Sequence, residues 1–329
     1  MNELFQSVPF AVILLILGFA FLVKGADAFV EGCSSIAKRF QVPSLIIGMT
    51  IVAMGTSLPE TAVSITASVT GNNALAVSNA VGSNIFNLMI VVGVCAILTP
   101  VAVRKETLKI DFPFSIVCAV LLLVLGAIGM TLGHVDGALF IVLFVIFILY
   151  MIKSAQNSRK DNKDMGVEEA EYALEAEEIQ IMPVPKSIIF IVLGCAAIAF
   201  GSDWVVDGAT TIAEAMGVSQ TLIGLTVVAF GTSLPELATS IMAAKKNEVD
   251  MALGNAIGSN IFNILMVLGI AAAISPMAFI TENIIDIVIL IAFSAIVWIM
   301  AWTKRELSKK EGWVMAILYA VYVVYICMR

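Results

Sequence analysis

Charge is what this chain most lacks. Only 13% of its 329 residues are Asp, Glu, Lys or Arg, against 60% hydrophobic, and the mean hydropathy is +1.02. Soluble domains carry about 25% charged residues. No soluble core of this length could bury so much apolar surface, so a water-soluble globular protein is excluded and an integral membrane protein is left. Histidine is nearly absent, His134 being the only one. Zinc-type metal chemistry and a Ser–His hydrolase therefore lack the residues they need. The five cysteines lie scattered in apolar segments, without a CxxC pair or a histidine partner, and read as small core residues. Met1 to Phe10 has no basic region, so the first apolar run reads as a retained helix and not as a cleaved signal peptide. Nothing in the charge pattern fits nucleic acid. The net charge of −7 mostly reports one acidic stretch, Asp161 to Glu178.

What is abundant is apolar sequence in runs of about 20 residues, which suit membrane helices and not the alternating strands of a barrel. Ten spans are expected, at approximately 8–36, 43–70, 73–99, 111–131, 136–153, 186–213, 218–243, 248–275, 284–303 and 312–328. The basic residues partition cleanly between the loops. Sixteen of the eighteen Lys and Arg, from Lys38 to Lys310, fall on the side reached after odd-numbered spans; Arg329 falls opposite and Lys24 lies within span 1. By the positive-inside rule those loops are cytoplasmic and both termini are extracytoplasmic.

The chain also says one thing twice. Gly48 to Ile65 reads GMTIVAMGTSLPETAVSI, and Gly224 to Ile241 reads GLTVVAFGTSLPELATSI, identical at thirteen of eighteen positions with an offset of 176 residues. In register with it, Asn79 to Asn87 (NAVGSNIFN) matches Asn255 to Asn263 (NAIGSNIFN), and Gly25-Ala-Asp27 matches Gly201-Ser-Asp203. The first motifs lie in spans 2 and 7. An odd separation of spans makes the two copies cross the membrane in opposite directions, an architecture of secondary transporters. The expected fold is thus an all-α polytopic membrane protein of two inverted-topology five-helix repeats. Residues 1–153 form the first repeat, 154–185 an acidic cytoplasmic linker, and 186–329 the second repeat. The repeat fades in spans 4–5 and 9–10, which read as outer scaffold. The linker reads as a solvated segment, with a regulatory cation site among its acids as the sharper alternative.

Each first motif carries one carboxylate, Glu60 or Glu236, inside the membrane. Pro59 has no N–H and disfavours a helical bond to the carbonyl four residues back, and Gly55 adds backbone freedom. Carbonyls near Ala53 to Gly55 then lose helical partners, which is costly in hydrocarbon but useful around a cation. Thr56 and Ser57 add hydroxyl oxygens. Gly231 to Glu236 repeats every element, with Thr232, Ser233 and Pro235. One such motif is also what a plain proline kink looks like; two, each with an acid, point to a cation site. In the second motif Asn79, Ser83 and Asn87 share a helix face at i, i+4 spacing, as do Asn255, Ser259 and Asn263. Asn84 and Asn260 lie off that face and read as interhelical glue. Oxygen donors without nitrogen or sulfur suit Ca2+, Na+ or Mg2+. A central carboxylate costs about 3 kcal/mol on insertion scales, so the pair must be protonated or filled with cations. Occupied forms cross between facings and the bare charged form does not, which is a physical basis for exchange.

At these residues the chain resembles the cation/Ca2+ exchanger superfamily, and within it the prokaryotic sodium/calcium antiporters of the YrbG type. The resemblance is carried by the paired GTSLPE and GSNIFN motifs and covers spans 1–3 and 6–8 most strongly. It implies discontinuous helices 2, 3, 7 and 8 around a diamond of cation sites, with helices 1 and 6 sliding across them. It implies Glu60 and Glu236 as central Ca2+ ligands, and Thr56, Ser57, Thr232, Ser233, Ser83 and Ser259 as oxygen donors to flanking Na+ sites. Carbonyls of Ala53 and Ala229 join those sites, and Asn87 and Asn263 complete the middle. The implied activity is Na+-driven Ca2+ extrusion from a prokaryotic cell across its plasma (inner) membrane. The partners are the transported ions and the lipid bilayer, with no cofactor, and one chain suffices for transport. Position 263 is Asn where K+-dependent relatives place Asp, so K+-independent exchange is expected. Exchange of H+ for Ca2+ is the nearest rival, Mg2+ or Mn2+ are possible substrates, and a cation channel is the rival of a different class. Lys24 stands three residues before Asp27 and is a candidate partner for it.

Overall fold

The structure, a computed structural model, describes residues 8–69, 73–164, 181–217 and 229–328. It is built from helices α1 (Val8–Phe40), α2 (Ser44–Thr56), α3 (Leu58–Val69), α4 (Ala76–Leu98), α5 (Thr107–Ala127), α6 (His134–Asp164), α7 (Val184–Ala215), α8 (Ala229–Thr232), α9 (Leu234–Lys245), α10 (Val249–Ile274), α11 (Thr281–Lys304) and α12 (Lys309–Met328). Among the described residues eight helices are long and apolar enough to cross a membrane, or nine when α2 and α3 count as one span bent by 50°. The seventh expected span is described only from Ala229, as α8 and α9. Its first part, 218–228, lies outside the described residues.

Local chemistry explains the boundaries. Pro183 precedes α7 and Pro185 sits in its first turn, where a missing N–H costs nothing. The fifth span runs past its expected end at 153 as far as Asp164, so the first part of the expected linker is helix; residues 165–180 lie outside the described set. Spans 3 and 8 differ from the expected breaks. Their helices continue through π-helical stretches, Asn87–Val91 in α4 and Asn263–Val267 in α10, each opening on the last Asn of the repeated motif. A π turn widens the helix and frees backbone groups, and such turns cluster at functional sites.

Helices α1 and α7 pack antiparallel along almost their whole length. A Cβ on Gly18 would meet the Gly201 carbonyl at 2.8 Å, one on Gly25 the Gly194 carbonyl at 2.9 Å, one on Gly32 the Ser187 carbonyl at 2.8 Å, and one on Gly208 the Ala11 carbonyl at 2.6 Å. A missing side chain every seventh residue on both helices brings backbone against backbone, the close approach that membrane helix pairs use.

Two short strand pairs tie the outer helices together. Val101–Ala102 (β1) pairs antiparallel with Glu306–Leu307 (β4), and Thr131–Leu132 (β2) with Met277–Ala278 (β3). Gly312 of α12 sits on the Gly93 carbonyl of α4, with its hypothetical Cβ at 2.5 Å, and Gly137 of α6 sits on the Gly269 carbonyl of α10 at 2.7 Å. Each of these contacts recurs with its members displaced by 175 or 176 residues. The twofold pattern therefore continues into the outer helices, where the sequence repeat is no longer visible. The core between them is almost closed: all of Met251 to Phe262 in α10 is buried.

Candidate cation site

The centre of the molecule is where α2–α3 and α8–α9 are interrupted. Ser57 and Ser233 occupy the interruptions, with φ/ψ of −84°/16° and −95°/5°, the sparsely populated bridge region of backbone space. The interruption lets each chain leave one helix and start another within a single residue. Glu60 and Glu236 then fall in the first turns of α3 and α9, and both are fully buried.

The carbonyls at the two interruptions behave differently from the expectation of free groups at Ala53 to Gly55. The Ala53 carbonyl still accepts the Ser57 N–H at 3.1 Å, and it faces the Thr56 hydroxyl at 3.4 Å. The carbonyl that Pro59 orphans is that of Gly55, and it meets the Cys195 thiol at 3.4 Å. The carbonyl that Pro235 orphans, that of Gly231, accepts a hydroxyl hydrogen bond from Ser202 at 2.6 Å. Both donors come from α7. A carbonyl has two lone pairs, so the bonded Ala53 oxygen retains capacity for a cation.

The carboxylates are cross-linked between the halves. Ser57 donates to Glu236 Oε1 at 2.8 Å, and Ser233 donates to Glu60 Oε1 at 3.2 Å. Ser83 of α4 adds a bond to Glu60 Oε1 at 3.3 Å, and Ser259 of α10 adds one to Glu236 Oε1 at 3.5 Å. Each acid thus takes one serine from the opposite broken helix and one from the helix beside its own. The second oxygens, Glu60 Oε2 and Glu236 Oε2, are buried without a hydrogen-bond partner, as are Thr232 Oγ1, both polar atoms of the Asn87 amide and Asn263 Oδ1. Buried polar atoms in native proteins are almost always satisfied, and a group left over needs an explanation. Buried carboxylate oxygens without a donor, one on each acid, are what a hard cation can complete.

Around this centre a second set of bonds fixes the frame. Asn79 donates to Ser64 Oγ at 3.2 Å and to the Glu60 carbonyl at 3.4 Å. Asn255 does the same to Ser240 Oγ at 2.9 Å and the Glu236 carbonyl at 3.3 Å. Thr56 adds a bond to Asn255 Oδ1 at 3.1 Å. Asn84 and Asn260 form the expected glue: each amide donates to the other's backbone carbonyl at 3.1 Å. That leaves Asn84 Oδ1 to accept from Asn263 Nδ2 at 3.1 Å. An amide at 263 can donate there; a carboxylate would set acceptor against acceptor. Phe86, Phe230 and Tyr319, two of them next in sequence to Asn87 and Gly231, pack edge to face with ring centroids 5.4 to 5.8 Å apart.

Of the residues expected from sequence, six form two hydrogen-bonded sets that each cross between the halves: Glu60 with Ser83 and Ser233, and Glu236 with Ser259 and Ser57. Thr56 and Ala53 border them, and Asn87 and Asn263 are buried beside them with unpartnered atoms. Ala229 opens α8, three residues before the buried Thr232. Ser64 and Ser240 were missed, although both stand at identical positions in the repeat. Ser202 and Cys195 were also missed, and only the packing of α7 against the breaks identifies them. Asp27 pairs with Lys246 at 2.8 Å and not with Lys24.

A buried carboxylate pair ringed by hydroxyl and amide groups, held between broken helices in a membrane protein, defines a cation transporter core and not an enzyme active site. Comparison with known proteins agrees. The pattern of the sodium/calcium exchanger protein family matches residues 10–153 and 186–328. The sodium/calcium exchanger MaX1 of Methanosarcina acetivorans is 33% identical over 95% of this chain and 97% of its own. The inner membrane protein YrbG of Escherichia coli is 35% identical over 88% and 89%. A solved structure of the sodium-calcium exchanger NCX_Mj superposes with a TM-score of 0.82 at 31% identity, covering 97% of this chain and 99% of that one. The chain belongs to the sodium/calcium exchanger family.

Proposed function

We propose that this protein is a Na+/Ca2+ antiporter, independent of K+, which extrudes Ca2+ by alternating access. Ca2+ lies between Glu60 and Glu236 on their unpartnered Oε2 atoms. Na+ takes flanking positions built from Thr56, Ser57, Ser83 and the Ala53 carbonyl on one side, and from Thr232, Ser233, Ser259 and the Ala229 carbonyl on the other. The observation that carries this reading is the reciprocal cross-linking of the two acids by Ser57 and Ser233. It makes the two halves share one site, which is what a cation exposed to each side in turn requires. The ten-span, inverted-topology arrangement belongs to the same proposal, with residues 1–153 and 186–329 as repeats. The recurrence of the strand pairs and glycine contacts at 175 or 176 residues supports it. Placement in a prokaryotic plasma membrane with extracytoplasmic termini is part of the same proposal, and the distribution of Lys and Arg supports that orientation.

The neutral amide of Asn263, fitted to Asn84 Oδ1, supports K+ independence because it keeps the central charge at two carboxylates. The test is Ca2+ uptake into proteoliposomes loaded with Na+ and diluted into Na+-free buffer, with K+ absent and pH clamped. Uptake that needs the Na+ gradient is expected. Uptake that appears only with a pH gradient would move the protein to H+/Ca2+ exchange, and uptake that appears only with K+ would remove the assignment at Asn263.

A further inference from the structure

Lys246 and Ser202 join α1 and α7 to the broken helix of the second repeat through a cationic and a hydroxyl donor, and neither residue type is kept at the matching position of the first repeat. Lys246, directly after α9, reaches back to α1. Its ammonium lies 2.8 Å from Asp27 and 3.7 Å from Glu31, one helical turn apart on the same face. Ser202 of α7 donates to the Gly231 carbonyl at 2.6 Å, at the interruption between α8 and α9. The repeat continues without a gap through these positions, so their counterparts can be read directly. Asp27 and Glu31 correspond to Asp203 and Asp207, Lys246 to Thr70, Ser202 to Ala26, and Gly231 to Gly55. The acids are kept in both halves; the lysine and the serine are not.

In an inverted repeat the two facings are related by exchange of the conformations of the two halves. The glycine ladder between α1 and α7 leaves no room for one to shift freely against the other, so the pair moves as a unit. In the exchanged arrangement that unit would rest on the first repeat's broken helix. There Ala26 has no hydroxyl for the Gly55 carbonyl, and Thr70 has no ammonium for Asp203 and Asp207. We propose that Lys246 and Ser202 are positioning residues that form a one-sided latch, biasing the protein toward the arrangement seen here over its exchanged counterpart. The inference rests on the alternating-access reading above.

The test reads the two arrangements directly. Fluorophores introduced through non-canonical amino acids at Leu17 of α1 and Val142 of α6, both exposed, leave the cysteines untouched. Single-molecule energy transfer in proteoliposomes then gives the ratio of the two states without ions. A partly exposed ion pair shifts such a ratio by up to about fivefold. Lys246→Gln is expected to move it by about that much toward the minor state, and Ser202→Ala in the same direction. Thr70→Lys, which puts an ammonium at the matching position of the other half, is expected to do the same. Lys246→Asp combined with Asp27→Lys is expected to restore the original ratio. An unchanged ratio in Lys246→Gln, Ser202→Ala and Thr70→Lys overturns the latch while leaving antiport intact. A single wild-type state that ignores both Na+ and Ca2+ removes the alternating-access reading and the latch with it.

Discussion

The centre of the molecule and its rim obey the twofold repeat to different degrees. At the centre most bonds recur in both halves: serine to opposite acid, asparagine to the serine and carbonyl beside each acid, asparagine to opposite backbone. The Thr56–Asn255 and Asn263–Asn84 bonds lack a counterpart among the described residues. At the rim, where α1 and α7 rest on the broken helices, Lys246 and Ser202 have no equivalents in the other half. Under the proposed alternating access the centre would accept the same cation from either side, which calls for matching donors in both halves. On the same proposal the rim would only set which arrangement is populated, and asymmetry there is tolerated.

The largest effect expected concerns the acids. Glu60→Gln and Glu236→Gln should each bring Ca2+ flux to background, a loss of about 100-fold or more, because one carboxylate alone cannot neutralise a buried divalent ion. Full flux in either variant, measured on protein that inserts and purifies normally, would break the symmetry argued for the centre. Next come the bridging serines. Ser57→Ala and Ser233→Ala each remove a hydrogen bond to a charged group, which contributes about 1.5–3 kcal/mol, so apparent Ca2+ affinity should weaken by roughly tenfold or more in each. The two losses should agree within about threefold; a large loss in one and none in the other would show that the halves do not share the site.

The smallest effect sharpens a difference inside the centre itself. Asn263 donates to Asn84 Oδ1, whereas both polar atoms of Asn87 are unpartnered. Asn263→Asp should therefore lower the detergent melting temperature more than Asn87→Asp, by the equivalent of about 1–3 kcal/mol for a buried acceptor left facing another. Equal melting temperatures would mean that the Asn84–Asn263 bond does not hold position 263.

Much of this was legible in the sequence because the repeat doubles each signal. A single GTSLPE reads as a proline kink; two, each with an acid, identify the breaks and the carboxylates. The i, i+4 spacing in NAVGSNIFN and NAIGSNIFN brought Ser83 and Ser259 to the acids, and the off-face positions of Asn84 and Asn260 marked them as glue. Three features were not legible. The π turns at Asn87 and Asn263 depend on how a continuous helix is packed, and no residue in the run breaks a helix. The crossing of Ser57 to Glu236 is a tertiary contact between segments far apart in the chain. The partner of Asp27 is Lys246, over 200 residues away, while the sequence offers Lys24 within one turn. Periodicity reports the face a residue occupies, and only packing reports what that face meets. The glycine heptads of α1 and α7 lay in plain sight in the sequence, but they acquire meaning only once the two helices are seen antiparallel.

The central claim is that Glu60 and Glu236 make one shared Ca2+ site. Equilibrium Ca2+ binding to the purified protein and to its Glu60→Gln and Glu236→Gln variants, each titrated with and without competing Na+, tests it most directly. One Ca2+ per chain, displaced by Na+ in the wild-type protein and lost to a similar extent in both variants, is the result predicted. Wild-type Ca2+ affinity retained in either variant would contradict it.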